Sequence, residues 1–202
     1  MNYLAHLYLS GTNPGVKVGN FIGDYVKGRN YLRYSSPIQK GILLHRQIDA
    51  FTDKHPSSKE SGTIFKPMYK RYSGVVTDVI YDHFLASNWE RYSDDTLKHF
   101  VSQSHRILMT NYFTLPGVVK QFLPFLIQSR MMEFYRKMEG VHKTLHIMAG
   151  HSSLPDHSNW AMEQLEHHYD YLQNLFFLFF DEAIQMSQEF LNEEWFMKRP
   201  AI

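Results

Sequence analysis

Apolar residues in this 202-residue chain recur at helical spacing almost throughout, and hardly anywhere alternate as a half-buried strand would. That pattern predicts an all-α fold. The first helix is expected over roughly Asn2 to Ser10, closed by the turn formers Gly11, Asn13, Pro14 and Gly15, and a second from about Lys17 to Lys27. Pro37, after Ser35 and Ser36, suits the first turn of a helix running to Phe51. His55-Pro56-Ser57-Ser58 reads as a break, followed by a basic helix over Phe65 to Tyr72 and a strongly periodic one from Val75 to Trp89. Ser93-Asp94-Asp95 reads as the N-cap of a helix to Met109, and Leu115-Pro116-Gly117 precedes another to Lys137. Gly140 and the Gly150 to Pro155 stretch divide the remainder, leaving a long final helix from Asn159 to Leu191.

The length suits one domain, and no repeat, low-complexity linker or boundary divides it, so a single domain over 1–202 is expected. The N-terminal ten residues lack the basic region and cleavage site of a signal peptide and belong to the fold. The longest wholly apolar run, Leu175 to Phe180, is far short of the roughly 20 residues a membrane-spanning helix needs, and Asp181 and Glu182 close it. With 21 Lys plus Arg against 20 Asp plus Glu, no net field favours nucleic acid or an anionic membrane. The absence of cysteine removes disulfides and thiolate chemistry and fits a cytoplasmic protein.

Chemistry is expected from polar residues set into apolar helices. His45 and Asp49 stand four apart, so they share a helix face with Cβ atoms about 5–6 Å apart. Asp78 and Asp82 repeat that spacing and His83 follows directly, amid Val75, Val76, Val79, Ile80, Phe84 and Leu85. Buried carboxylates at that spacing repel unless something cationic lies between them, and a divalent metal meets the need. Asp24 and His6 are further polar residues in apolar helices, so four helices offer ligands. Mixed imidazole and carboxylate sets suit Mn, Fe, Zn or Mg, and a metal with open positions polarises phosphoryl oxygens and activates water. Phosphate-ester hydrolysis is the natural inference.

Plainer roles compete. His6 alone reads equally well as a hydrogen-bonded core residue, and a His45–Asp49 pair can simply stabilise its helix by tenths of a kcal/mol. Arg46 suits either a phosphate clamp or an ion pair. Lys66, Lys70 and Arg71 suit an acidic partner or, more commonly, a solvated face. Of His167 and His168, about 100° apart on a helix, His168 is expected to face the site. His142, His146, His151 and His157 read as surface imidazoles, and Phe176 to Phe180 as core.

Four stretches in order carry a resemblance: Met-Asn-Tyr-Leu-Ala-His-Leu at the start, Gly-Asn-Phe-Ile-Gly-Asp-Tyr-Val-Lys-Gly at 19–28, Gly-Ile-Leu-Leu-His-Arg-Gln-Ile-Asp-Ala-Phe-Thr-Asp at 41–53, and Asp-Val-Ile-Tyr-Asp-His-Phe-Leu-Ala at 78–86. Together they resemble the acyl carrier protein phosphodiesterase family, with looser likeness through Tyr135-Arg136-x-Met138 and His168-Tyr169-Asp170. The resemblance implies a single-domain helical bundle related to HD-domain phosphohydrolases, cytoplasmic and dependent on a divalent metal, usually Mn2+, with Mg2+ or Fe2+ as alternatives. It implies hydrolysis of the 4'-phosphopantetheine phosphodiester of holo acyl carrier protein to the apo form. Asp24, His45, Asp49, Asp78, Asp82 and His83 are then the site and metal residues, with Arg46 beside them. In place of the His-Asp dipeptide of HD domains the chain carries the reversed Asp82-His83. The partner, a small acidic protein, would dock on Lys66, Lys70 and Arg71 or on Lys17, Lys27, Arg29 and Arg33. The rival functions are an HD-like phosphohydrolase of nucleotides or another small phosphodiester, and a non-catalytic carrier-binding module.

Overall fold

The computed structural model describes residues 2–192; the span 1–202 expected of the domain includes residues 1 and 193–202, which lie outside the described ones. Among the described residues there are helices and no strands. In chain order the α-helices are α1 Tyr3–Tyr8, α2 Pro14–Ile22, α3 Ser36–Lys54, α4 Pro56–Tyr69, α5 Ser73–Ser87, α6 Trp89–Tyr92, α7 Leu97–Thr110, α8 Gly117–Gln128, α9 Met131–Phe134, α10 Met138–His151, α11 Ser158–His167 and α12 Tyr169–Leu191. None of the described helices is long and apolar enough to cross a membrane.

Two expected breaks are helix starts. Asn13 caps α2, its Oδ1 accepting the N–H groups of Gly15 and Val16, with Pro14 in the first turn. His55 caps α4 in the same way, its Nδ1 accepting from Ser57 N at 3.2 Å, with Pro56 next. In both places the proline occupies the first-turn position whose N–H has no helical partner, so it opens a helix where turn statistics point to a break. Thr96, not the Ser93 turn, caps α7 through His99 N. Gly140 lies within α10, and the long final helix is two, parted at His168, whose backbone (φ −115°, ψ 20°) leaves the helical region.

α5 is the central helix. Every residue from Val79 to Ala86 is buried, so its hydrophobicity runs nearly all round and it needs cover on all sides. α1, α4, α10 and α12 supply that cover. α2 and α3 cross closely, because Gly19 and Gly41 meet there: a Cβ on Gly19 would lie 2.1 Å from the Ile38 carbonyl oxygen and 2.9 Å from the Cα of Gly41. Only two glycines permit that approach. It brings the last turn of α2 against the middle of α3, where the polar residues gather.

Candidate active site

α1 offers His6, α2 Asn20, the 3-10 turn Gly23–Tyr25 offers Asp24, and α3 offers His45 and Asp49. Asn20 ties the two imidazoles. His6 Nδ1 lies 2.7 Å from Asn20 Oδ1, and His45 Nδ1 lies 2.8 Å from the Asn20 carbonyl oxygen. Both oxygens only accept, so each Nδ1 carries the hydrogen. Each Nε2 therefore presents a lone pair, and both are buried without a hydrogen-bond partner. They aim at carboxylates: His6 Nε2 is 3.3 Å from Asp49, and His45 Nε2 is 3.1 Å from Asp49 and 3.4 Å from Asp24. Lone pairs converging on carboxylate oxygens require a proton or a cation among them.

A proton meets part of the need. Burial works against charging His45, but the Asp24 and Asp49 carboxylates outweigh it and raise the imidazole to about 9. Burial lowers His6 to about 4, aided by the charge of His45. Burial works to raise Asp49, yet His45 and His6 hold it far below the ordinary carboxylate range; the hydrogen-bonding contact with His45 lowers Asp24. A metal suits the same place. One ligand atom each from His6, His45 and Asp49 lies within 4.8 Å of the others, and the imidazole and carboxylate donors suit a divalent transition metal. Each ring is already braced through Nδ1, as metal-binding histidines are.

These residues line a cleft of about 550 Å³. Four carboxylates line it, from Asp24, Asp49, Asp53 and Asp78, and among the described residues no lysine or arginine does. Much of the remaining lining is apolar, with Phe122, Leu126, Met131, Ile147 and Met148. Burial raises the Asp78 carboxyl above its ordinary value.

The structure thus gathers Asp24, His45, Asp49 and Asp78 around one cleft, and adds His6 and Asn20. Asp82 and His83 lie elsewhere. Asp82, fully buried one turn beyond Asp78, accepts Leu4 N at 2.9 Å and Ala5 N at 3.0 Å. The positive end of α1 supplies what the spacing assigned to a metal. Burial still raises Asp82 to about 7 against those two bonds. His83 spends both nitrogens, Nδ1 on the Tyr135 carbonyl at 2.7 Å and Nε2 on the Tyr169 hydroxyl at 3.0 Å. Arg46 does not line the cleft: it donates to the carbonyls of Val26 and Gly28 and stacks on Tyr31, fixing the loop after Asp24. His168 is exposed at the break between α11 and α12, and its neighbour Tyr169 is the residue that turns inward. Lys17, expected on a basic surface, is buried, with Nζ on the Leu7 carbonyl at 3.0 Å.

Residues 1–183 match the family model described as acyl carrier protein phosphodiesterase. Similar proteins of that name include one from Enterobacter sp., 32% identical over 184 residues, covering 89% of this chain and 94% of the relative. One from Yersinia enterocolitica is 29% identical over 190 residues, 94% of this chain and 98% of the relative, and one from Klebsiella pneumoniae is 30% identical over 189 residues, 93% and 98%. No solved structure matches the chain.

Proposed function

The chain belongs to the acyl carrier protein phosphodiesterase family, and from that premise we propose that it is a phosphoric diester hydrolase cleaving 4'-phosphopantetheine from a serine of holo acyl carrier protein. The cleft is its active site and a divalent cation, Mn2+ before Mg2+ or Fe2+, its cofactor. One observation carries this reading: two buried imidazole nitrogens converge on Asp49 in a cleft lined by four carboxylates, with no lysine or arginine among its described lining residues. An anionic phosphodiester entering such a cleft needs more counter-charge than the one His45 imidazolium supplies against those carboxylates.

His6, His45 and Asp49 would hold the cation, with Asp24 in reach. Bound there, a divalent ion neutralises phosphoryl oxygens and lowers the pKa of water. In the reaction water attacks phosphorus, the bond from phosphorus to the serine oxygen breaks, the phosphate stays on pantetheine, and the serine oxygen leaves with a proton. Asp24, exposed and ionised, accepts a hydrogen bond from the attacking water and orients it. Asp78, whose carboxyl burial keeps more readily protonated, is the lining group suited to give the serine its proton. The apolar lining receives the pantetheine arm and excludes bulk water.

For docking the carrier we assign Lys27, Arg29 and Arg33, exposed after Asp24; Arg33 lines a second cavity of about 410 Å³ that shares Tyr25 with the cleft. Lys66, Lys70 and Arg71, also exposed, line neither cavity. The test is the mass of holo acyl carrier protein after incubation with the chain and Mn2+, with a chelated control and nucleotides alongside. Conversion to the apo mass, abolished by chelation, is the expected result. Nucleotide cleavage with an unchanged carrier mass would make the chain a phosphohydrolase of small diesters, and no turnover of either would leave a binding module.

A further inference from the structure

We propose that Asn20 is the positioning residue of this site, its side chain and its backbone carbonyl together engaging Nδ1–H of His6 and of His45 so that both Nε2 atoms face the cleft. The inference rests on the reading of the cleft as a cation site only for its purpose; the tautomers follow from the hydrogen bonds alone. Asn20 is fully buried. Its Nδ2 donates to the His6 carbonyl at 2.8 Å and to Ser10 Oγ at 2.9 Å, while Ser10 Oγ donates to the same carbonyl at 2.7 Å. Turning the amide over would set Oδ1 against the His6 carbonyl oxygen, so the group facing His6 Nδ1 is the acceptor Oδ1.

The second contact depends on where α2 ends. The carbonyls of a helix's last turn run short of partners, and that of Asn20 receives the Gly23 N–H and has a lone pair to spare. The crossing at Gly19 and Gly41 sets this carbonyl against α3, where His45 Nδ1 donates to it. One residue thus braces rings from two helices through two chemically different oxygens. Substitution can remove the first and cannot remove the second. An Asn20 serving packing alone would show no such asymmetry.

The experiment is long-range 1H–15N correlation of the imidazoles in the full chain, with Zn2+ titration by calorimetry, for wild type, Asn20→Asp and Asn20→Leu. His6 is expected to carry its hydrogen on Nδ1 in wild type and Asn20→Asp, which keeps an acceptor, and to lose that preference in Asn20→Leu. The Zn2+-loaded His45 is expected to coordinate through Nε2 in all three. Zn2+ affinity should fall about 10–100-fold in Asn20→Leu, the usual cost of losing an outer-shell partner, and less in Asn20→Asp. Hydrogen on Nε2 of His6 in wild type, or on Nδ1 in Asn20→Leu, overturns the proposal. Should Asn20→Leu fail to fold, Asn20→Ala decides it in the same way, hydrogen kept on Nδ1 of His6 overturning the proposal. Absence of Zn2+ binding by wild type with the tautomers as stated would refute the cation-site reading and leave the role of Asn20 standing.

Discussion

The imidazoles of His6 and His45 stack, their centroids 4.1 Å apart and their planes 20° from parallel. Rings so close do not both carry charge readily, and the structure separates them: His6 is lowered to about 4 by burial, while His45 is raised to about 9, against burial, by Asp24 and Asp49. In the metal-free protein, the stability due to His45 is complete below its ordinary value near 6.5 and is lost as pH rises through about 9. The cost of keeping His6 neutral grows as pH falls from 6.5 towards 4, and the lowered Asp49 and Asp24 lose their contribution at still lower pH. In chelator, wild type should therefore lose stability relative to His45→Gln as pH rises from 6.5 through about 9. Parallel melting curves against pH for the two proteins over that range would take His45 out of the account.

A cation at this site must displace the His45 proton. With the imidazole at about 9, the apparent affinity at pH 7 should lie about two powers of ten below its limit and rise about tenfold per pH unit. Calorimetry in two buffers of different ionisation enthalpy should detect close to one proton released per ion at pH 7. Proton-independent binding would place the ion away from His45.

Asp78 and Asp82 should separate in mutation despite their shared spacing. Asp82→Ala leaves two buried N–H groups of α1 without an acceptor, at a cost on the order of 1–3 kcal/mol each, so chemical denaturation should show a large loss of stability. Asp78→Asn should preserve stability far better while lowering turnover by about 10²–10⁴, the worth of a general acid. Equal stability losses with equal activity losses would undo this division.

That division marks where the sequence stops being legible. The His45–Asp49 pair was visible because both ligands sit on one helix face, and Asp24 because an acid interrupts an apolar run. For Asp82 the same reasoning found the requirement, a positive partner, but could not identify it: the N-terminus of α1 lies 77 residues away in the chain and answers as a metal would. His6 stayed ambiguous for the converse reason, since its partners Asn20 and Asp49 come from α2 and α3 and no local spacing announces them. His168 was misplaced by reading through a helix break, and Tyr169 was missed with it.

Gly23 gives the sharpest test of how the site is assembled. Its backbone is ordinary helical (φ −52°, ψ −42°), so alanine is not excluded by conformation. What excludes it is His45: a Cβ on Gly23 would lie 2.2 Å from the ring's Cγ and 2.5 Å from its Cβ. Gly23→Ala should therefore push the imidazole off its line to Asp24 and Asp49, costing about 1–3 kcal/mol of stability by overpacking together with cation affinity. The strain exists only while the ring and its Cβ are present. In a His45→Gly background both the ring and its Cβ are gone and the added methyl enters the space they vacate, so Gly23→Ala should cost little or even stabilise. Denaturation of the four proteins gives the coupling energy, expected above 0.5 kcal/mol and favouring the double variant. Strict additivity would show that Gly23 does not seat His45, and that the glycine serves the chain's turn alone.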